Sequence, residues 1–365
     1  MKTPILYKIL FLLIWMPTMV QASSLSPIKE KHTKEKTIKK SFNVNPNATF
    51  NVTNRYGNIN VITWNENRID IEVSIKVEGN NEDRLISKLN QLDVAFQAAP
   101  NKVSAITSFD GNSYDTSWWN KRVSSNIKME INYVVKIPIT NNVQLFNDYG
   151  NITLDKLEGN ALIKCDYGKI TTKELMGNKN ELRFDYTKDC YFEYIKTGTI
   201  DADYSSFTVA KTNDISIKAD YTSSHIETAE DIIYNCDYGS MKIDRANNID
   251  GQGDYLTLIV GDVYKNVSID ADYGSIKIDR LKENTENVTI KSDYTGIKIG
   301  YEPSFNFQFD ITLEYASLSG DNDFNFSKKH IESRSKYYAG YHGNTNTNGK
   351  VTIDSDYGSV TFHKN

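Results

Sequence analysis

The chain has 365 residues, of which 39% are hydrophobic and 12% aromatic, so it can bury a substantial core. Its formal net charge is -5, with 47 acidic and 42 basic residues, and this acidic balance argues against a nucleic-acid partner. Tyrosine and phenylalanine are abundant, and isoleucine, valine and threonine alternate with polar residues, a pattern typical of strands rather than helices.

Residues 1–22 have the pattern of a cleaved signal peptide. Two lysines precede the apolar run from Ile9 to Met16, and Pro17 and then Val20-Gln21-Ala22 follow it, with small residues where a signal peptidase would cut. A retained membrane anchor is the alternative, but the run is much shorter than the ~20 residues that a span requires. We therefore expect export to the periplasm or cell surface, no transmembrane span in the mature chain, and a basic flexible linker at 23–36.

Residues 37–145 predict a small α+β segment that caps the repeats that follow. Leucines at helical spacing and acids in the first turn predict one helix at 81–96. Arg55-Tyr56-Gly57 resembles the later repeat, so we expect this segment to pack on the first coil and to protect its open edge. Alternation of apolar and polar residues predicts strands at 37–44, 48–64, 68–79 and 126–139.

A polar loop inside this segment, residues 109–122, contains Trp118 and Trp119. Adjacent indoles among Gly, Asn and Ser residues are a candidate interaction loop, because exposed aromatic rings often anchor a partner. The alternative is that one or both rings fold under the loop against the cap.

An Asp-Tyr dipeptide recurs through residues 146–315 at intervals of 17 to 21 residues. A short period of this kind indicates a solenoid, in which each coil supplies two strands and two turns. The apolar, inward-facing residues occupy odd positions before Gly274-Ser275 and even positions after it. The chain must therefore turn a corner there to keep them inside, and we expect glycine to provide the backbone angles. Where Thr, Ser or Leu replaces that glycine, we expect a looser corner. The predicted fold class is all-β: a β-solenoid of ~18-residue coils, a parallel β-helix or roll, with the α+β N-terminal cap.

The Asp and Tyr of successive coils are expected to form two continuous columns with a spacing of about 4.8 Å. Each Asp is expected to accept a hydrogen bond from the backbone N–H two residues on, which offsets the repulsion between carboxylates. A row of calcium ions is the alternative, but each coil offers a single carboxylate, so we predict no metal and no cofactor. We expect the tyrosines to fix the register of the coils rather than to bind sugars. The predicted corner residues are Asp148, Tyr149, Asp166, Tyr167, Asp203, Tyr204, Asp220, Tyr221, Asp237, Tyr238, Asp272, Tyr273, Asp293 and Tyr294.

Two further features follow from the repeat. Cys165 and Cys236 precede Asp-Tyr in the inward slot of small residues, four coils apart, which is too far for a disulfide. Cys190 occupies another position of its coil, so three buried free thiols are predicted. The last Asp-Tyr lies two repeats beyond Tyr315, so residues 316–365 are expected to hold an insertion or degenerate coil and a C-terminal cap.

Three stretches, at 63–79, 131–154 and 356–362, resemble the bacterial putative-adhesin family of exported β-strand-repeat proteins, typical of Bacteroidetes. The resemblance covers most of the chain and implies the repeat architecture. The family has no assigned activity and therefore supplies no catalytic residues.

The sequence predicts a protein that is not an enzyme. The five histidines have no ligand spacing, and no phosphate loop, nucleophile elbow or paired-histidine motif is present. Arg245 and Arg280 share a repeat position, as basic groups do in β-helix polysaccharide lyases, but two coils apart. We expect an adhesin-like binding or scaffolding protein of the bacterial envelope, with an unknown protein or glycan as partner. The alternatives are a periplasmic regulatory or sensing module and, less favoured, a carbohydrate-active β-helix enzyme.

Overall fold

The computed structural model describes residues 31–109 and 127–365, which form 26 strands of one continuous sheet and a single helix. The N-terminal elements are β1 (His32–Asn43), β2 (Thr49–Arg55), β3 (Ile59–Trp64), β4 (Arg68–Gly79), α1 (Glu82–Gln91), β5 (Leu92–Ala99), β6 (Lys102–Phe109), β7 (Lys128–Pro138), β8 (Asn142–Asp148) and β9 (Ile152–Leu154). The central elements are β10 (Ala161–Asp166), β11 (Ile170–Leu175), β12 (Asn180–Asp185), β13 (Cys190–Asp203), β14 (Ser206–Lys218), β15 (Ser223–Asn235), β16 (Ser240–Gln252), β17 (Thr257–Asp272), β18 (Ser275–Leu281), β19 (Asn287–Asp293) and β20 (Gly296–Tyr301). The C-terminal elements are β21 (Phe307–Glu314), β22 (Leu318–Ser319), β23 (Phe324–Ile331), β24 (Ser335–His342), β25 (Gly349–Asp356) and β26 (Val360–Lys364).

The predicted all-β solenoid with one helix is confirmed. Each coil has a stretch of strand before the Asp-Tyr corner and another after it, and equivalent stretches of successive coils pair in parallel. We call the stack of stretches that precede the corners the first face, and the stack that follows them the second face. The long strands β13 to β17 pass from the second face of one coil to the first face of the next around a gentler bend.

Alternation places the apolar residues of both faces inside. In β14, Phe207 and Val209 are buried on the second face, Ile215 and Ile217 are buried on the first, and buried Thr212 interrupts the alternation at the bend between them. The buried side chains form one continuous cluster from the cap to the C-terminus. Because a single coil cannot cover its own inner surface, each coil depends on its neighbours.

The parallel stack begins at β2, not at residue 146. Strands β2 and β3, with the corner at Tyr56 between them, stack directly on β8 and β9. The chain between these two coils forms the cap, in which β6 extends the first face and β7 extends the second. Antiparallel pairing of β5 with β6, of β4 with β7 and of β1 with β4 completes the cap.

Two N-terminal boundaries differ from the sequence-based expectation. Residues 32–36 of the predicted linker belong to β1, because their alternating residues continue the antiparallel ladder along β4. Helix α1 begins after Asn81, whose side chain accepts a hydrogen bond from the N–H of Arg84, and it ends at Gln91. The expected helical residues 92–96 lie in β5, where they pair with β6.

At the C-terminus, spatial order differs from chain order. After β20 the chain forms the outer coil β21–β22, turns through the antiparallel strands β23 and β24, and returns as β25–β26. The returning coil lies between the coil β19–β20 and the outer coil β21–β22. The expected insertion at 316–365 is therefore a hairpin followed by a regular coil that is intercalated into the stack.

Candidate binding surface

The sharp corner of each coil is formed by the tyrosine itself. All twelve corner tyrosines, from Tyr56 to Tyr357, have a positive φ of 49–60°. The left-handed conformation costs a residue with a Cβ about 1–2 kcal/mol. None of the glycines that follow these tyrosines has a positive φ, so the expectation that glycine provides the unusual backbone angles is wrong.

Glycine follows the tyrosine in several coils because the backbone of the preceding layer is too close for a side chain. A Cβ on Gly168 would lie 2.0 Å from the carbonyl oxygen of Gly150, and a Cβ on Gly239 would lie 2.2 Å from that of Thr222. Real Cβ atoms do not approach a backbone oxygen so closely. The constraint on these glycines is therefore contact between coils.

In coils with Thr or Ser after the corner tyrosine, the side-chain hydroxyl hydrogen-bonds to the neighbouring coil. Thr222 Oγ1 donates toward the carbonyl oxygens of Ala202 in the preceding coil and Asp220 in its own, both at 2.9 Å. Thr295 makes the equivalent contacts with Ala271 and Asp293, at 3.1 and 3.0 Å. The expected loosening of these corners is therefore not observed.

The corner tyrosines form one uninterrupted stack. Neighbouring ring centroids are 4.6–5.5 Å apart with interplanar angles of 2–13°, and eleven of the rings are 46–52% exposed. Eleven steps at the strand spacing of about 4.8 Å give a stripe roughly 50 Å long. In spatial order the stack consists of Tyr56, Tyr149, Tyr167, Tyr186, Tyr204, Tyr221, Tyr238, Tyr255, Tyr273, Tyr294, Tyr357 and Tyr315.

Stacking determines which part of each ring a partner can contact. Both faces of every interior ring are covered by the neighbouring rings, so the stripe presents ring edges and hydroxyl groups. At the C-terminal end, the guanidinium of Arg334 lies 5.9 Å from the ring centroid of Tyr315. Sugar rings bind aromatic residues by lying on an open face, and the interior of this stack offers none.

The corner aspartates form a ladder between coils. Asp220 Oδ1 accepts the backbone N–H of Asp237 at 3.2 Å, and Asp237 Oδ1 accepts that of Asp254 at 2.8 Å. The same contact joins Asp272 to Asp293 at 2.9 Å. The expected Asx-turn to the N–H two residues on is therefore wrong, because the acceptor reaches the next coil instead of its own.

Burial and repulsion between neighbours destabilise the charged form of carboxylates in this ladder. Burial raises the pKa of Asp254 above its usual value, and the neighbouring charges of Asp237 and Asp272 raise it further. Burial, and then the charge of Glu314, raises the pKa of Asp356 in the same way. In the described parts of the chain, no group of three or more His, Cys, Asp or Glu side chains is arranged to hold a metal ion.

The three cysteines are buried free thiols, as predicted. Cys165 and Cys236 lie in the inward slot before the corner, and Cys165 Sγ donates to the carbonyl oxygen of Gly150 at 3.4 Å. Burial raises the pKa of the Cys236 thiol to about 12, and it also raises the pKa of the Cys165 and Cys190 thiols.

The other candidate residues do not converge on one site. Arg245 and Arg280 are two coils apart on the same column, and Asp262 lies between them in register. Arg280 forms an ion pair with Asp262 at 3.6 Å. The candidate loop with Trp118 and Trp119 lies outside the described residues.

Sequence reasoning missed a shallow groove of about 780 Å³ on the outside of the first face, close to the gentle bend. We call it the first-face groove; it spans the coils from Thr197 to Thr289. One rim is a column of Thr, Asp and Asn residues six positions before each corner Asp, and the facing column contains Ile233, which is 57% exposed. The recurrence of Asp or Asn at that position was the available sequence signal.

No helix in the described ranges is long and apolar enough to cross a membrane.

No family model and no curated protein matches the chain. Among solved structures, it is similar to a putative cell adhesion protein from Clostridium sporogenes, with 10% identity, 92% of this chain and 100% of that chain covered, and a TM-score of 0.21. It is also similar to a putative adhesin from Bacteroides fragilis, with 12% identity, 90% and 97% coverage and a TM-score of 0.25. A putative adhesin from Parabacteroides merdae matches with 10% identity, 90% and 96% coverage and a TM-score of 0.33.

Proposed function

We propose that this chain is a non-enzymatic, adhesin-like binding or scaffolding protein of the bacterial cell envelope, exported by the signal peptide at 1–22. The observation that supports this function is the repetition of equivalent side chains in columns along the whole stack, best seen in the twelve stacked tyrosines. A periodic surface binds an extended partner through many similar contacts, each of them weak.

An enzymatic function would need a few coils to differ from the others in a coordinated way, because catalysis requires several different groups at one point. Arg245, Asp262 and Arg280 form the clearest local departure in the described coils: they are in register on one column, and Asp262 forms an ion pair with Arg280. This arrangement favours a structural ion-pair column over a lyase site.

Cell fractionation and envelope binding test the proposal together. The full-length chain is expressed in a Gram-negative host, and protease is added to intact cells, to cells with a permeabilised outer membrane and to lysates. We expect the protease to cleave the chain in intact or permeabilised cells, in which cytoplasmic marker proteins are still protected. We also expect the purified chain to co-sediment with isolated envelopes. Retention in the cytoplasm, or a lack of envelope binding, would contradict the proposal.

Polysaccharide turnover separates the binding function from the enzymatic alternative. The purified chain is incubated with acidic and neutral polysaccharides, and released oligosaccharides are measured. We expect no release. Release that is abolished by Arg245→Ala or Arg280→Ala would instead assign the chain as a carbohydrate-active enzyme.

A further inference from the structure

The first-face groove has the chemistry of a site for a hydroxyl-rich ligand. On one rim, Asn266 Nδ2 donates to Asn248 Oδ1 at 2.9 Å, and Asn287 Nδ2 donates to Asn266 Oδ1 at 3.1 Å. Asn266 Oδ1 also accepts the backbone N–H of Asn287 at 3.3 Å, but each amide keeps a second N–H and Asn248 Oδ1 keeps a second lone pair. The ladder is therefore fixed by contacts between coils and can both donate and accept toward a ligand in the groove.

The facing column complements this rim. Ser216, Ser268 and the threonines at both ends carry hydroxyl groups, and the exposed side chain of Ile233 lies among them. Buried Ile232 and Ile249 line the floor beside it. An apolar patch bordered by amides and hydroxyls matches a sugar ring, which has C–H groups on its faces and hydroxyl groups at its edges.

Charge and backbone pairing exclude two other kinds of ligand. The lining contains no lysine or arginine, and it carries the carboxylates of Asp214, Asp231 and Asp250, so an anionic polymer would be repelled. The first-face strands in the groove already pair with a neighbour on each side, so a peptide cannot bind there by adding a strand.

We propose that the first-face groove binds an extended neutral glycan that lies along the solenoid axis. The proposal rests on the proposed binding function and names the ligand class. The groove repeats at the strand spacing of about 4.8 Å, which is close to the advance of one sugar ring in an extended β-linked chain. Each coil then contacts one sugar through one polar rim residue, which is an amide at Asn248, Asn266 and Asn287, and through one residue of the facing column.

Blocking variants with a matched control test this site. Ser216→Arg and Ser268→Arg place a long side chain in the groove, whereas Ser275→Arg places the same side chain at an exposed position of the second face. The probes are hexasaccharides of β-(1→4)-linked glucose, β-(1→3)-linked glucose and β-(1→4)-linked mannose, with polygalacturonate and an unstructured Ser/Thr-rich peptide for comparison. Binding to the full-length chain is measured by calorimetry, and circular dichroism establishes that each variant is folded.

We expect at least one neutral hexasaccharide to bind the unmodified chain and Ser275→Arg equally. We expect both groove variants to bind it about tenfold more weakly. Equal binding by all variants, or loss in Ser275→Arg alone, would place the ligand elsewhere and overturn the groove assignment. Preference for polygalacturonate or for the peptide, or no neutral hexasaccharide binding at all, would overturn the ligand class, while envelope binding would still test the broader function.

Discussion

Each corner tyrosine combines a strained backbone with a stacked ring. The left-handed φ costs about 1–2 kcal/mol per residue, and an interior ring has two stacked neighbours that contribute about 0.5–1.5 kcal/mol each. The two effects are of similar size and opposite sign. Asparagine or glycine would relieve the strain, but neither would restore the stack, which explains why tyrosine occupies a conformation that usually favours smaller residues.

Substitutions at Tyr221 separate these two effects. Tyr221→Ala removes both ring contacts and keeps the strain, so we expect the free energy of unfolding to fall by about 1–3 kcal/mol. Tyr221→Gly also removes the contacts but relieves the strain, so it should be about 1 kcal/mol more stable than the alanine variant.

Urea unfolding followed by circular dichroism measures both differences. Tyr191→Ala is the control, because Tyr191 is 38% exposed and lies outside the stack; it should change stability least. A glycine variant that is no more stable than the alanine variant would show that the positive φ at Tyr221 is not a source of strain.

At the level of single elements, the sequence predicts the strands well, because the alternation of apolar and polar residues follows directly from which side chains face the core. The helix end was misplaced because Leu92 fits two patterns. It continues the helical spacing of Leu85 and Leu89, and it also begins the alternation of β5. Antiparallel pairing with β6 determines the outcome, and that pairing is not visible in the local sequence.

The corners could be located from the sequence, but their internal chemistry could not. Parity identifies where the chain turns, whereas the residue with positive φ and the acceptor of each Asp depend on how closely the next coil approaches. The hydrogen bond from the Asp254 N–H to Asp237 illustrates this, because its two partners are separated by a full repeat. The first-face groove was missed for the same reason, since its columns exist only after stacking.

The corner glycines therefore determine how closely two neighbouring coils can pack. Gly239→Ala would place a Cβ 2.2 Å from the backbone oxygen of Thr222, so the two coils would have to move apart. We expect this overpacking to lower the free energy of unfolding by about 1–3 kcal/mol. Gly296→Ala is the matched control, because its Cβ would have no neighbour within 4 Å and its φ is not positive.

Thermal unfolding of the two alanine variants tests this contrast. The control variant should be as stable as the unmodified chain, or slightly more stable, because alanine reduces the freedom of the unfolded chain. If Gly239→Ala unfolds at the same temperature as Gly296→Ala, the corner glycines are not required for close packing between coils.

On the scale of the whole molecule, both ends of the stack are closed by antiparallel strands. At the N-terminus β1 covers β4, and at the C-terminus β24 and β23 cover β21. The outermost of these covering strands, β1 and β23, contain lysines, which oppose pairing with another sheet edge. Lysines 34, 36, 39 and 40, part of the basic run near the N-terminus, therefore belong to an edge strand that limits aggregation.

The order of the last two coils is a property of the whole chain and could not be predicted from the repeat. Both coils have a tyrosine corner preceded by apolar inward residues, Phe309 and Ile311 in β21 and Val351 and Ile353 in β25, so the repeat pattern alone does not decide which of them stacks on the coil of Tyr294. The antiparallel strands β23 and β24 carry the chain outward and back, which allows the later coil to occupy the inner position.

Removal of residues 349–365 tests how far stability depends on this intercalated coil. The deletion separates β21–β22 from the rest of the stack, because β25 and β26 are the strands that join this outer coil to β19 and β20. In a solenoid each coil is stabilised by its immediate neighbours. We therefore expect amides in 307–342 to lose protection from hydrogen exchange, whereas amides in the coils of β8 to β16 stay protected. Unchanged protection of β21 would show that the outer coil can stack directly on β19, and that the intercalated coil does not determine the order of the C-terminal stack.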